Sequence, residues 1–98
     1  MINSKQRAYL KSLAQKEDTI LIVGKSNIVD NIITQADKAL TARELIKGKV
    51  LESSEITVLE AANEIAQKTN AIVVQTIGSK FVLYRRNEDK PKIELPKK

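Results

Sequence analysis

Thr19-Ile20-Leu21-Ile22-Val23-Gly24-Lys25-Ser26-Asn27-Ile28 reads as a strand that breaks off and restarts as a helix. The run from Thr19 to Val23 is short, apolar and rich in β-branched residues, the pattern of a buried strand, and Gly24 ends it. From Ile28 the apolar residues Ile28, Ile32, Ala36 and Leu40 recur every fourth position with Ile33 beside them, which predicts a helix of about three turns. Asn27 is a natural N-cap, and Asp30 sets a carboxylate in the first turn, where the helix dipole favours it.

Working outward from this unit, Ser4 is expected to cap a first helix running to about Gln15. Its apolar stripe is Ala8, Leu10, Leu13 and Ala14, with Lys5, Arg7 and Lys11 on its wet side. Downstream, Leu45-Ile46-Lys47-Gly48-Lys49-Val50 alternates, with Ile46 and Val50 on one face and Lys47 and Lys49 on the other, as in a half-exposed strand with a basic outer face. Thr57-Val58-Leu59-Glu60 fits a capping box, and Ile56 is placed to staple onto Ala61. The third helix then carries a core stripe of Leu59, Ala62, Ile65 and Ala66, and Asn70 suits the left-handed residue that ends it. The runs Ala71–Ile77 and Phe81–Tyr84 are joined by Gly78-Ser79, a tight hairpin turn.

The order is therefore α-β-α-β-α-β-β: an α/β fold, a single compact domain with a four-stranded mixed sheet and three helices. Residues 1–86 form that domain. Residues 87–98, with two prolines and little to bury, are expected to be a flexible basic tail.

A chain of 98 residues supports one core. It has no cysteine and no histidine, so disulfides, thiolate metal sites and imidazole bases are all absent. No apolar run approaches the roughly 18 residues needed to span a bilayer, and the start lacks a signal-peptide apolar region; the expectation is a cytoplasmic protein with no membrane partner. The net charge of +5, from 17 Lys and Arg against 12 Asp and Glu, favours an anionic partner. Position sharpens this. From Arg85 onward six basic and three acidic residues carry a local +3, leaving only +2 on residues 1 to 84, so an RNA site on the body must be a patch.

The strand, Gly24-Lys25-Ser26-Asn27 and helix together are the best candidate for such a site. A helix N-terminus offers unpaired N–H groups and about half a positive charge to a phosphate; Gly24 lets the backbone approach, Lys25 adds charge and Ser26 can donate a hydrogen bond. On the loop alone, a plain strand end with a cap and a surface lysine fits equally well. A P-loop is excluded, because no second glycine precedes Lys and Ser or Thr at the required spacing. Lys5, Arg7 and Lys11, with Lys47 and Lys49, extend the basic surface, and Arg85 and Arg86 suit bidentate phosphate contacts and base stacking. Each of these clusters also fits an ordinary solvated face. With Tyr9, Phe81 and Tyr84 the only aromatics, there is no aromatic platform for successive bases; Phe81 is expected in the core, and Tyr84 there or as one stacking contact. The acids sit singly on wet faces, so no enzyme, cofactor or metal site is expected.

In that context Ser4-Lys5-Gln6-Arg7-Ala8-Tyr9-Leu10, Val23-Gly24-Lys25, Glu44-Leu45-Ile46-Lys47, and Ile77-Gly78 leading to Phe81-Val82-Leu83-Tyr84-Arg85 resemble the YhbY family. These are stand-alone bacterial CRM domains, the module of chloroplast RNA splicing and ribosome maturation factors. The resemblance covers residues 1 to about 86. It implies a fold similar to the C-terminal domain of a bacterial translation initiation factor, and a role on precursors of the large ribosomal subunit. It also implies RNA contact through a GxxG loop reminiscent of the backbone clamp of KH domains. Gly24 matches the first glycine of that loop and Lys25 its basic residue. Asn27 stands where the second glycine is expected; asparagine tolerates the left-handed conformation better than other non-glycine residues.

The expected function is thus that of an RNA-binding protein, a monomer acting on 23S ribosomal RNA or the precursor large subunit in ribosome biogenesis. The competing reading is a protein-interaction adaptor docking on a ribosomal or assembly protein. A small nucleotide-processing enzyme is a third, and needs a pocket with convergent carboxylates.

Overall fold

A computed structural model describes residues 2–24 and 30–96 of the chain. The elements follow the expected order: α1 (Ser4–Ala14), β1 (Thr19–Val23), α2 (Asp30–Arg43), β2 (Leu45–Val50), α3 (Val58–Thr69), β3 (Ile72–Ile77) and β4 (Lys80–Tyr84). The sheet order is β1-β2-β4-β3, with β1 parallel to β2 and the other two pairings antiparallel. A parallel pair needs a crossover, and α2 provides it.

The sheet is covered on both faces. On one side α2 and α3 pack Ala36, Leu40, Ala61, Ala62 and Ile65 against Leu21, Val23, Ile46, Val50, Phe81 and Leu83. On the other, α1 brings Leu10 and Ala14 onto Leu45, Val74, Val82 and Tyr84. The strand from Leu45 to Val50 therefore differs from its half-exposed expectation. Leu45 is buried under α1, and Lys47 and Lys49 are only half-exposed.

Caps set the helix ends. Asn3, rather than Ser4, caps α1: its Oδ1 accepts from the Gln6 N–H at 2.8 Å while Gln6 Oε1 accepts from the Asn3 N–H at 3.0 Å, a capping box one residue earlier than expected. Asparagine and serine are equally good caps, and the reciprocal partner three residues on, glutamine, selects the first. Ala8, placed in the apolar stripe from sequence, is exposed. The Thr57–Glu60 box forms as expected, its N–H and hydroxyl holding the Glu60 carboxyl below its ordinary range, and Asn70 ends α3 at φ 58°. Leu59 is 54% exposed. The buried arc of α3 is centred on Val58, Ile65 and Thr69, and Leu59 falls outside its rim in the first turn.

Glycine is required at two positions. Gly78 adopts φ +58° in the two-residue turn between Ile77 and Lys80, as a primed hairpin turn demands. Gly48 faces Phe81 across β2 and β4, and a Cβ there would lie 2.3 Å from the Phe81 Cζ. The ring fills the space that a side chain would occupy.

The segment after Arg86 departs most from expectation. Through Pro96 it runs as a strap tied to the domain instead of a flexible tail. Its anchor is Glu44, a fully buried residue at φ 66° whose carboxylate accepts from the backbone N–H groups of Asn87 (2.7 Å), Lys92 (2.6 Å) and Ile93 (2.6 Å). Ile93 and Leu95 pack on the α1 side core, and the Gln6 side-chain amide donates to the Pro96 carbonyl at 2.9 Å. Burial pushes the Glu44 carboxyl up, but those three N–H groups and the charge of Arg86 pull harder, leaving it below its ordinary value of 4.5.

Candidate nucleic-acid interface

Gly24 leaves the end of β1 where the sheet also ends in Val50 and the Gly78-Ser79 turn: the Leu51 N–H donates to the Val23 carbonyl and the Val50 N–H to the Ser79 carbonyl, both at 2.8 Å. Lys25, Ser26 and Asn27 lie outside the described residues. Around the point where the chain leaves β1 at Gly24, the described side chains of the sheet form the site.

Strand registers fix which side chains share this end. On the α1 side of the sheet, Ile22 of β1 pairs with Lys49 of β2, Lys49 with Lys80 of β4, and Lys80 with Ile77 of β3. The next row inward is Thr19, Lys47, Val82 and Gln75. Helix α1 covers the far end of this face and stops at Ala14, where the Lys47 Nζ donates to the Ala14 carbonyl at 3.3 Å. A cation at that point complements the negative end of the helix dipole. Between the helix end and the sheet is an open cavity of about 120 Å³ whose lining includes Lys11, Lys47, Gln75, Ile77 and Lys80, and no acidic residue. Among the described residues the ion pairs are Lys68–Glu64 and Arg85–Asp37, so Lys11, Lys49 and Lys80 are not neutralised by a partner there.

The other candidates are dispersed. Lys5 is exposed and lies six positions before Lys11, about 240° around the helix, so it faces away from this cluster. Arg7 is used internally. Its guanidinium donates to the carbonyls of Val73 and Val74, both at 2.7 Å, where a bulge in β3 shifts the register. Arg85 is likewise committed to the fold, donating to Asp37 Oδ1 and the Thr69 carbonyl at 2.7 Å, to Thr41 Oγ1 at 2.9 Å and to the Asp37 carbonyl at 3.0 Å. These bonds tie the last strand to α2 and to the end of α3. Arg86 is exposed at the strap end, far from Gly24. Phe81 is fully buried, and burial, with Glu44 nearby, pushes the buried Tyr84 phenol up; neither ring is presented to a base.

Lys80, Ile22 and Ile77 are not among the site residues expected from the sequence. The two-residue turn already implies that Lys80 sits opposite Ile77, but its place beside Lys49 depends on the pairing of β2 with β4, a contact between segments some thirty residues apart. Under the strap are cavities of about 520 and 390 Å³, each lined by a single carboxylate, Glu94 in the first and Glu88 in the second. Among the described residues no group of three or more Asp or Glu is placed to hold a metal ion, and no helix is long and apolar enough to cross a membrane.

This arrangement of three helices and four strands has known relatives. The CRS1 / YhbY (CRM) domain model matches residues 2–85. The chain belongs to that family. This CRM domain is 40% identical over 96 residues to "Probable RNA-binding protein YqeI" of Bacillus subtilis, covering 98% of this chain and 100% of that one. It is 36% identical over 97 residues to an "RNA-binding protein" of Haemophilus influenzae, covering 99% and 97%. The solution structure of a hypothetical protein from Staphylococcus aureus superposes on the CRM domain with a TM-score of 0.81, at 42% identity, over 98% of this chain and 100% of that one. These relatives are stand-alone proteins of nearly the same length, so the strap as well as the domain lies within the shared region.

Proposed function

We propose that this CRM domain is an RNA-binding protein of the cytoplasm that acts as a monomer on 23S ribosomal RNA or on the precursor of the large ribosomal subunit, assisting its assembly. The supporting observation is the shared location of two features: Gly24, at the end of β1, and a lysine cluster with no acidic partner among the described residues at the same end of the sheet. The Gly24–Asn27 loop is to seat a phosphate at the N-terminal side of α2, and Lys49, Lys47 and Lys11 are to extend the track along the backbone. The names of the Bacillus and Haemophilus relatives agree with RNA as the partner class. The ribosomal assignment follows from the family resemblance.

The test is binding of the wild type and a Lys25→Glu variant to 23S RNA and to precursor particles across a salt series. Neutralised phosphates release counterions, so affinity is expected to fall steeply and linearly on logarithmic axes, and the folded variant to bind more weakly with a slope smaller by about one. A salt-insensitive interaction, or particle binding that survives ribonuclease, overturns the reading in favour of a protein partner.

A further inference from the structure

We propose that the row Ile22, Lys49, Lys80 and Ile77 is a docking platform for single-stranded RNA, with the two lysines and neighbouring Lys47 and Lys11 holding phosphates and the two isoleucines lying under unstacked bases. The proposal rests on the RNA-binding reading above and names the form of RNA and the surface that takes it. The row is continuous across all four strands, each residue being the direct neighbour of the next. At about 4.8 Å between strands it spans roughly 14 Å, room for a few nucleotides of an extended chain.

Three features of this row have no use within the fold. Lys49 and Lys80 stand directly opposite each other, a pairing of like charges that destabilises a sheet. No acidic residue lies in the row or lines the adjoining cavity to offset them. Ile22 is 47% and Ile77 60% exposed, one at each end of the row.

A polyanion relieves the first two, because its phosphates replace the missing counter-charges. The third selects the single-stranded form. In a duplex the bases are stacked inside and the phosphates line the outside, so the isoleucines would remain wet. An unpaired strand can turn its phosphates to the central lysines and its base faces to the flanking side chains. The contacts are aliphatic, not aromatic, so affinity should come chiefly from charge, and base identity should matter little.

The experiment compares a short unstructured RNA oligonucleotide with a duplex of the same length, binding to wild type, the double variant Lys49→Glu/Lys80→Glu, the double variant Ile22→Ser/Ile77→Ser, and Lys25→Glu. Thermal unfolding of each variant is the control for folding. The charge variant is expected to lose at least about tenfold in single-strand affinity with a salt slope smaller by about 1.4, two phosphates at about 0.7 each. The isoleucine variant should weaken single-strand binding several-fold at an unchanged slope and leave duplex binding alone. If the wild type binds RNA and both double variants, still folded, bind equally well while Lys25→Glu does not, the platform is wrong and the loop is the whole site. If duplex and single strand bind alike and both variants affect them alike, the single-strand assignment fails. If the wild type binds neither these RNAs nor precursor particles, the RNA-binding reading itself falls, and the platform with it.

Discussion

At the scale of single residues, this domain turns on positions where one atom more or less is felt. Gly48 has no room for a side chain because the Phe81 ring lies where a Cβ would be, and Phe81 is itself fully buried. A Gly48→Ala substitution must displace the ring from a close-packed core, and overpacking of this kind costs about 1–3 kcal/mol. A lower urea midpoint at unchanged slope is the expected result; an unchanged midpoint would show that the ring moves aside freely. Glu44 is held in the left-handed region at φ 66°, normally left to glycine or asparagine, and the reason lies in its carboxylate, which three backbone N–H groups of the strap require. Arg85 is a similar case. From sequence it is a free cation at a strand end, and in the structure its donors are all directed at α2 and the end of α3.

At the scale of elements, the strap is the part that responds to pH. The Glu44 carboxyl has a folded value below its ordinary 4.5, so its contribution to stability is fully present above that value and is lost as pH falls through the lower folded value. Acid titration is therefore expected to loosen residues 87–96 progressively as pH falls below the ordinary value of 4.5, while leaving them attached at neutral pH. Amide exchange of Lys92 and Ile93 would report it. Glu44→Gln, which turns an acceptor-only group into one carrying donors, should lower stability at pH 7 by about 2–3 kcal/mol and flatten the acid dependence. Equal acid sensitivity in the two proteins would mean that another group controls the strap. The bulge of β3 is a comparable element-level feature: it disturbs the ladder, and Arg7 of α1 satisfies the carbonyls of Val73 and Val74.

At the scale of the whole molecule, two hydrophobic clusters share one sheet, the larger under α2 and α3 and the smaller under α1 and the strap. Because β2 and β4 contribute side chains to both clusters, loss of their pairing disrupts both at once. One cooperative transition is expected, with far-ultraviolet dichroism and tyrosine fluorescence, which samples Tyr84 in the smaller cluster, giving coincident urea curves. A separate early tyrosine transition would show that α1 and the strap unfold alone. Much of this architecture was legible in the chain because it is written in local patterns: the β-branched run of β1, the fourfold spacing of α2, the Thr57 capping box and the glycine turn at Gly78 each act over a few residues. Leu59 and Ala8 lie outside the faces expected for them because helical spacing defines a face but not how wide an arc the neighbouring sheet covers. Local pattern and composition suffice for the order and kind of the elements, the absence of cysteine and histidine chemistry, and the basic balance. Tertiary contacts are what commit some cations to the fold, as with Arg7 and Arg85, and gather others, as with Lys49 and Lys80, where no acidic partner is found among the described residues. The reason is that strand pairing and strap docking join segments far apart in the chain, and no local pattern records what a side chain will meet across such a distance.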